Sequence, residues 1–201
     1  MKMSKQYIFL AILLLSFLGC DTGTSPASDL PLETINEWGA DGFFQYYTNE
    51  SIRYNSRFEY IGGNANPNPN IYAIDVKKIS GAQNKAYGMA FAAIDPRNNY
   101  FVNITVNGHY FVGKRENNDV TVIQDWTVSP RLRTGFNTLN TLWVSQSDST
   151  FNIFLNDFDV FQFTDSSITG DRISFITYIG TIEEESFPNT PVDVRFKQTS
   201  Q

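Results

Sequence analysis

Cysteine and histidine are almost absent from this 201-residue chain, each occurring once. With Cys20 alone, no intramolecular disulfide can form. With His109 alone, a multi-histidine metal site is excluded and a Ser-His-Asp triad has a single candidate base. That histidine stands beside an Asn-Gly turn signal, where the simpler expectation is a surface residue flanking the turn. Phosphate loops are missing too, because Gly62-Gly63 is not followed by the Gly and Lys such loops use. The longest apolar run, Tyr7–Leu18, falls short of the roughly 20 residues that span a bilayer core. Basic residues number 15 against 21 acidic. That balance argues against nucleic acid or an anionic lipid surface as the main partner.

The N-terminus is the most informative stretch. Lys2 and Lys5 precede the apolar run, and Gly19 stands directly before Cys20. A basic region, a short apolar region and a small-residue cleavage point make a secretory signal. With Cys20 as first mature residue, the segment resembles a bacterial lipoprotein signal. Phe17 and Leu18 fill places usually taken by Leu and a small residue. The resemblance implies a signal peptide over residues 1–19, lipidation of Cys20, and a lipid bilayer of the bacterial cell envelope as the anchor's partner. An ordinary signal peptide with a chance cysteine is the alternative. Losing Lys2 and Lys5 would leave 13 basic against 21 acidic residues, a net charge of −8. Residues 20–35 read as the lipidated cysteine and a Ser, Thr, Gly and Pro tether. Asp21-Thr22-Gly23-Thr24-Ser25 looks like an aspartic-protease loop, but the second carboxylate loop such an enzyme needs is missing.

Residues 36–201, about 165 in all, are enough for one domain. Aromatics make up 15% of the chain, with 17 Phe and 10 Tyr. Together with frequent Thr, Val and Ile this favours strands. Strands are expected at Ser51–Ile61, Ile71–Ile79, Tyr87–Ile94, Tyr100–Val106, His109–Arg115 and Val120–Val128. More follow at Leu139–Gln146, Phe151–Leu155, Phe158–Thr164, Arg172–Tyr178 and Val192–Gln198. The continuous apolar run Tyr87–Ile94 suits a strand buried on both faces. Asp95–Asn99 and Asn156-Asp157 read as turns, Gly62-Gly63-Asn64 as loop punctuation, and Leu32–Trp38 as a short helical turn. Asn107-Gly108 predicts a two-residue type I′ hairpin. In that register Val106 faces His109 and Ile104 faces Phe111, while Asn103, Thr105 and Tyr110 share the more polar face. Turn signals about every 8–12 residues between ten or so short strands indicate an all-β antiparallel sandwich or barrel.

From Tyr87 to Asp165 the chain resembles bacterial domains of the concanavalin A-like, laminin G-like and family-16-glycosidase-like superfamily. The residues concerned are Tyr87-Gly88 with Phe91, Asp95-Pro96 with Asn99-Tyr100, Gly113-Lys114-Arg115, and Trp126-Thr127 with Ser129-Pro130. Asn137–Trp143 and Phe151–Asp165 look like that family's paired strands. The resemblance implies a two-sheet antiparallel jelly-roll sandwich with one concave face.

Hydrolases of that superfamily use Glu-x-Asp-x-x-Glu or a near relative, with acid and nucleophile about 5 Å apart for retention. No such spacing occurs here. Glu183-Glu184-Glu185 reads as a solvated charge cluster, with calcium the minority alternative. Asp157, Asp159 and Asp165 read as turn residues. No catalytic residue, cofactor or metal is therefore expected. The remaining candidates are aromatic, since sugars stack on Trp or Tyr while amides hold their hydroxyls. Asn103, Tyr110, Trp126 and Trp143 are the candidate ligand residues, set against the alternative that both Trp pack between the sheets. Trp38 is expected to close one end of the sandwich. The expected function is a non-catalytic, lipid-anchored binding module for carbohydrate. The alternatives are an adhesion or structural protein binding an envelope or host protein, and a glycosidase acting on a disaccharide or glycan.

Overall fold

The computed structural model describes residues 31–66, 68, 70–187 and 189–199. Cys20, the signal over residues 1–19 and the Asp21–Ser25 loop lie outside the described residues. In chain order the strands are β1 (Thr34–Trp38), β2 (Phe44–Thr48), β3 (Arg57–Ala65), β4 (Ile71–Ser80), β5 (Tyr87–Asp95), β6 (Asn98–Ile104) and β7 (His109–Glu116). They continue with β8 (Asp119–Val128), β9 (Asn140–Ser147), β10 (Thr150–Leu155), β11 (Phe158–Thr164), β12 (Arg172–Ile179), one helical turn α1 (Ile182–Glu185), and β13 (Val192–Gln198).

Two antiparallel sheets form a jelly-roll sandwich. One is seven-stranded in the order β1-β2-β13-β4-β9-β10-β11, and the other is six-stranded in the order β3-β12-β5-β6-β7-β8. Alternation decides what fills the space between them. In β10, Phe151, Ile153 and Leu155 are buried while their neighbours are only partly so. From the other sheet Met89, Phe91, Tyr100 and Val102 meet them, all fully enclosed. Phe151 lies 5.7 Å from Phe91, 4.9 Å from Tyr100 and 5.0 Å from Phe163, giving the core an aromatic centre. Such ring pairs add to what area burial alone contributes.

Several sequence expectations change. Leu32–Trp38 is not a helical turn: β1 begins at Thr34, inside the segment read as tether, and pairs with β2 from Thr34↔Thr48 to Trp38↔Phe44. Gly62-Gly63-Asn64 does not end a strand, because β3 runs on to Ala65 through a bulge at which Gly62 takes φ +62°. The extra residue leaves Ile61 opposite Phe175 and Asn64 opposite Ile173, both on the inward face. Asn156-Asp157 does form the tight turn, each with positive φ. The triple glutamate is not a solvated loop. Glu185 is 1% exposed and accepts N–H bonds from Ala82 and Gly180, while Glu184 pairs with Lys85. Among the described residues no three His, Cys, Asp or Glu side chains converge as metal ligands.

Candidate functional site

The β6–β7 hairpin sets the site, and its loop is longer by one residue than Asn-Gly suggests. Gly108 N–H donates to Thr105 O (3.1 Å) and Thr105 N–H to His109 O (3.0 Å), enclosing a three-residue loop. Gly108 alone has positive φ, +87°, as such a loop requires of its last residue. The Asn107 side chain accepts the Thr105 hydroxyl, which in turn accepts His109 N–H (3.2 Å). Loop 129–135 ties the tip down: Ser129 N–H reaches Gly108 O (2.9 Å) and Gly135 N–H reaches Val106 O (2.7 Å).

A one-residue shift in register turns each side chain to the opposite face. Ile104 therefore pairs with Tyr110, and Asn103 with Phe111. Tyr110 is corrected from the polar face to the core, where it is 5% exposed, its hydroxyl 3.5 Å from Val160 O and its pKa raised by burial. Phe111 replaces it on the outer face of the six-stranded sheet. There it stacks on Phe101 at 5.8 Å and lies 5.2 Å from Trp126. Close packing at this point depends on Gly113, whose Cβ would come within 2.5 Å of Phe101 Cζ.

The result is a groove of about 280 Å³ over the outer face, with Phe101, Phe111, Trp126 and Tyr178 as its apolar surface. Trp126 is 44% exposed. Asn103 lies in the lining, 1% exposed, and its Oδ1 is enclosed with no hydrogen-bond partner. Leaving an amide oxygen buried and unpaired costs about 1–3 kcal/mol. One wall is the loop after β4, which supplies Asn84, Lys85 and Ala86. The Lys85 ammonium is held by Ser56 Oγ (2.7 Å) and Glu184 (2.9 Å), and its hydrogen bond is the main cause holding the Glu184 carboxyl below its ordinary pKa. On the far side of Trp126 a second hollow is lined by Thr105, Asn107 and His109.

Of the four residues singled out from sequence, Asn103 and Trp126 come together here. Trp143 does not: it projects from the outer face of the opposite sheet, stacked at 3.6 Å on Phe154. Neither Trp packs between the sheets. Phe101, Phe111, Tyr178, Asn84 and Lys85 were not anticipated, although Phe101 has the same strand parity as Asn103. No Asp or Glu lines the groove. The arrangement can stack an apolar ring face and satisfy hydroxyl groups, but it lacks the paired carboxylates of glycoside hydrolysis.

No protein-family model matches this chain, and no curated protein sequence is similar to it. Among solved structures, it is similar to the carbohydrate binding module CBM66 from Bacillus subtilis, with TM-score 0.50 and 16% identity over 83% of this chain and 89% of that one. Galectin LEC-6 from Caenorhabditis elegans gives TM-score 0.43 and 11% identity over 81% of this chain and 99% of that one. A Bacillus licheniformis beta-glucanase gives TM-score 0.45 and 10% identity over 79% and 72%. At such identities the likeness is one of fold, and the first of the three carries it.

Proposed function

We propose that this chain is a lipid-anchored, non-catalytic carbohydrate-binding protein of the bacterial cell envelope. The observation that carries the binding role is the Asn103 Oδ1, buried without a partner in a groove surfaced by Phe101, Phe111 and Trp126. A sugar hydroxyl would give that oxygen its missing donor while the ring's apolar face lies on Trp126. The jelly roll shared with the Bacillus subtilis carbohydrate binding module supports the same reading. The lining holds no carboxylate, which favours binding over turnover.

Glycan-array screening followed by calorimetry tests the groove. Binding to at least one polysaccharide class is expected, with Trp126→Ala and Asn103→Ala each weakening it about tenfold or more. Silence across the array, or affinity indifferent to both substitutions, would refute the site. A second reading has its own support: β8 is an edge strand exposing Val120, Val122 and Val128, which suits a protein partner. Envelope pull-downs that glycans fail to compete would favour that reading.

The anchor rests on the Lys2–Cys20 signal. Metabolic labelling with a palmitate analogue is expected to mark the wild type, and Cys20→Ser to lose both label and membrane retention. At about 0.8 kcal/mol per buried CH₂, two or more acyl chains would hold the domain stably at the bilayer. Label persisting on Cys20→Ser would sink the anchor.

A further inference from the structure

The seven-stranded sheet has one strand more than its partner, and the surplus falls at one edge. Across the sandwich β13 lies on β12 and β4 on β5, so β2 covers β3 and β1 overhangs it. The register puts Asn36 opposite Tyr46 and Trp38 opposite Phe44, so all four share the hairpin's inner face. Facing them, Glu59, Ile61 and Asn64 point inward from β3. Between these walls lies an open cleft of about 350 Å³, within the lower range of ligand pockets.

Tyr46 forms its depth. The residue is 2% exposed, and its hydroxyl is enclosed without a hydrogen-bond partner. The Arg57 guanidinium pairs with Glu59 and also stands beside the Tyr46 hydroxyl, near enough to act on it electrostatically but outside hydrogen-bonding geometry. At the mouth Trp38 is 56% exposed, standing perpendicular to Phe44 at 5.4 Å and to Phe175 at 6.4 Å. Because Glu59 is already neutralised by Arg57, little net charge is left to draw an ion. What remains is a phenol hydroxyl, two amides and a propped indole, which matches a neutral ring bearing several hydroxyls.

We propose that this edge cleft is a second saccharide-binding site, taking a short glycan end, separate from the groove on the outer sheet face. Tyr46 holds a hydroxyl at the bottom, Asn36 and Asn64 hold others, and Trp38 carries the ring. The cleft shares no lining residue with the groove, so either can bind when the other is disabled. Two sites on one anchored domain would bridge glycan chains or raise avidity for a branched one.

Saturation-transfer NMR on the full chain tests this, with the methyl glycosides of glucose, galactose and mannose and with fructose as probes. In the Trp126→Ala protein, transfer to at least one probe is expected to persist. Adding Trp38→Ala is expected to abolish it, and adding Tyr46→Phe to weaken affinity about tenfold. Circular dichroism confirms that each variant is folded. No transfer in Trp126→Ala to any probe overturns the second site, as does Tyr46→Phe binding like its parent. Transfer lost on Trp38→Ala yet untouched by Trp126→Ala would instead leave the cleft standing and remove the groove.

Discussion

Lys78 is the least expected charge in the fold, and replacing it by Met is the sharpest test of how the groove wall is held. The residue sits on β4, 0% exposed, and its ammonium donates to Ala82 O (2.8 Å) and Lys85 O (3.1 Å). Glu185 approaches from α1 and accepts the N–H groups of Ala82 and Gly180. Together they pin the loop that carries Asn84 and Lys85 into the groove. Removing the ammonium strands the Ala82 and Lys85 carbonyls and takes a positive charge from the neighbourhood of Glu185. A carbonyl left without its donor costs about 1–3 kcal/mol.

Titration gives this prediction a signature that simple loss of packing would not. Burial, only partly offset by Glu185, lowers the Lys78 pKa from 10.5 to about 8. Below pH 8 both folded and unfolded chains hold the proton, so the contribution is flat. Above it the unfolded chain binds the proton more tightly, and stability rises with pH towards 10.5. Between pH 7 and 9 the wild type is expected to gain about 1 kcal/mol relative to Lys78→Met. Burial pushes the pKa of Tyr46 and Tyr72 up to about 12, so these groups erode stability only once unfolded tyrosine ionises near pH 10. Urea unfolding followed by tryptophan fluorescence at pH 7, 8 and 9 reads the difference. Parallel stability curves for the two proteins, or a gap that closes with pH, would refute the buried-cation argument.

Gly113→Ala is expected to destabilise by about 1–3 kcal/mol, because its Cβ would stand 2.5 Å from Phe101 Cζ and 2.8 Å from Phe111 Cε1. One ring must move, so glycan affinity is expected to fall as well; unchanged melting and binding would contradict this. Directly after β11, burial pushes the Asp165 carboxyl up, but Ser167 N–H (2.8 Å) and the Lys114 ammonium (3.0 Å) outweigh it and hold the pKa at about 2. Its stabilisation is complete above the ordinary value of 3.8 and is lost as pH falls towards 2. Asp165→Asn is therefore expected to flatten the acid limb of the stability curve, and an unaltered limb would exclude Asp165 as its source.

From β4 onward the strands were legible because alternation and turn residues recur at short spacing. Phe151–Leu155 shows both signals, and Asn156-Asp157 turns where its residue types demand. β1 was not legible. Its five residues are mostly exposed and lack an alternating apolar face, so only pairing with β2 makes them a strand. Lys78 and Glu185 were hidden for a related reason: a lysine beside another lysine, and a glutamate within a run of three, carry surface signals in sequence. Their burial follows from the loop and helical turn that close over them, and no local pattern records that.

The groove shows how little separates a legible site from a missed one. Asn103 and Trp126 were singled out by residue type, yet which β7 ring lies beside them turned on the length of a single loop. A two-residue Asn-Gly turn would have set Tyr110 beside Asn103 and sent Phe111 inward. Instead the Thr105 hydroxyl engages Asn107, and the 129–135 loop holds Val106 O and Gly108 O, so the longer loop prevails. Those contacts lie outside the hairpin's own turn chemistry, and they decide which aromatic ring lines the groove. Phe111 then brings an unbroken ring surface where Tyr110 would have brought a hydroxyl. Asn103 consequently remains the polar group on the groove's floor, its Oδ1 enclosed and unpaired.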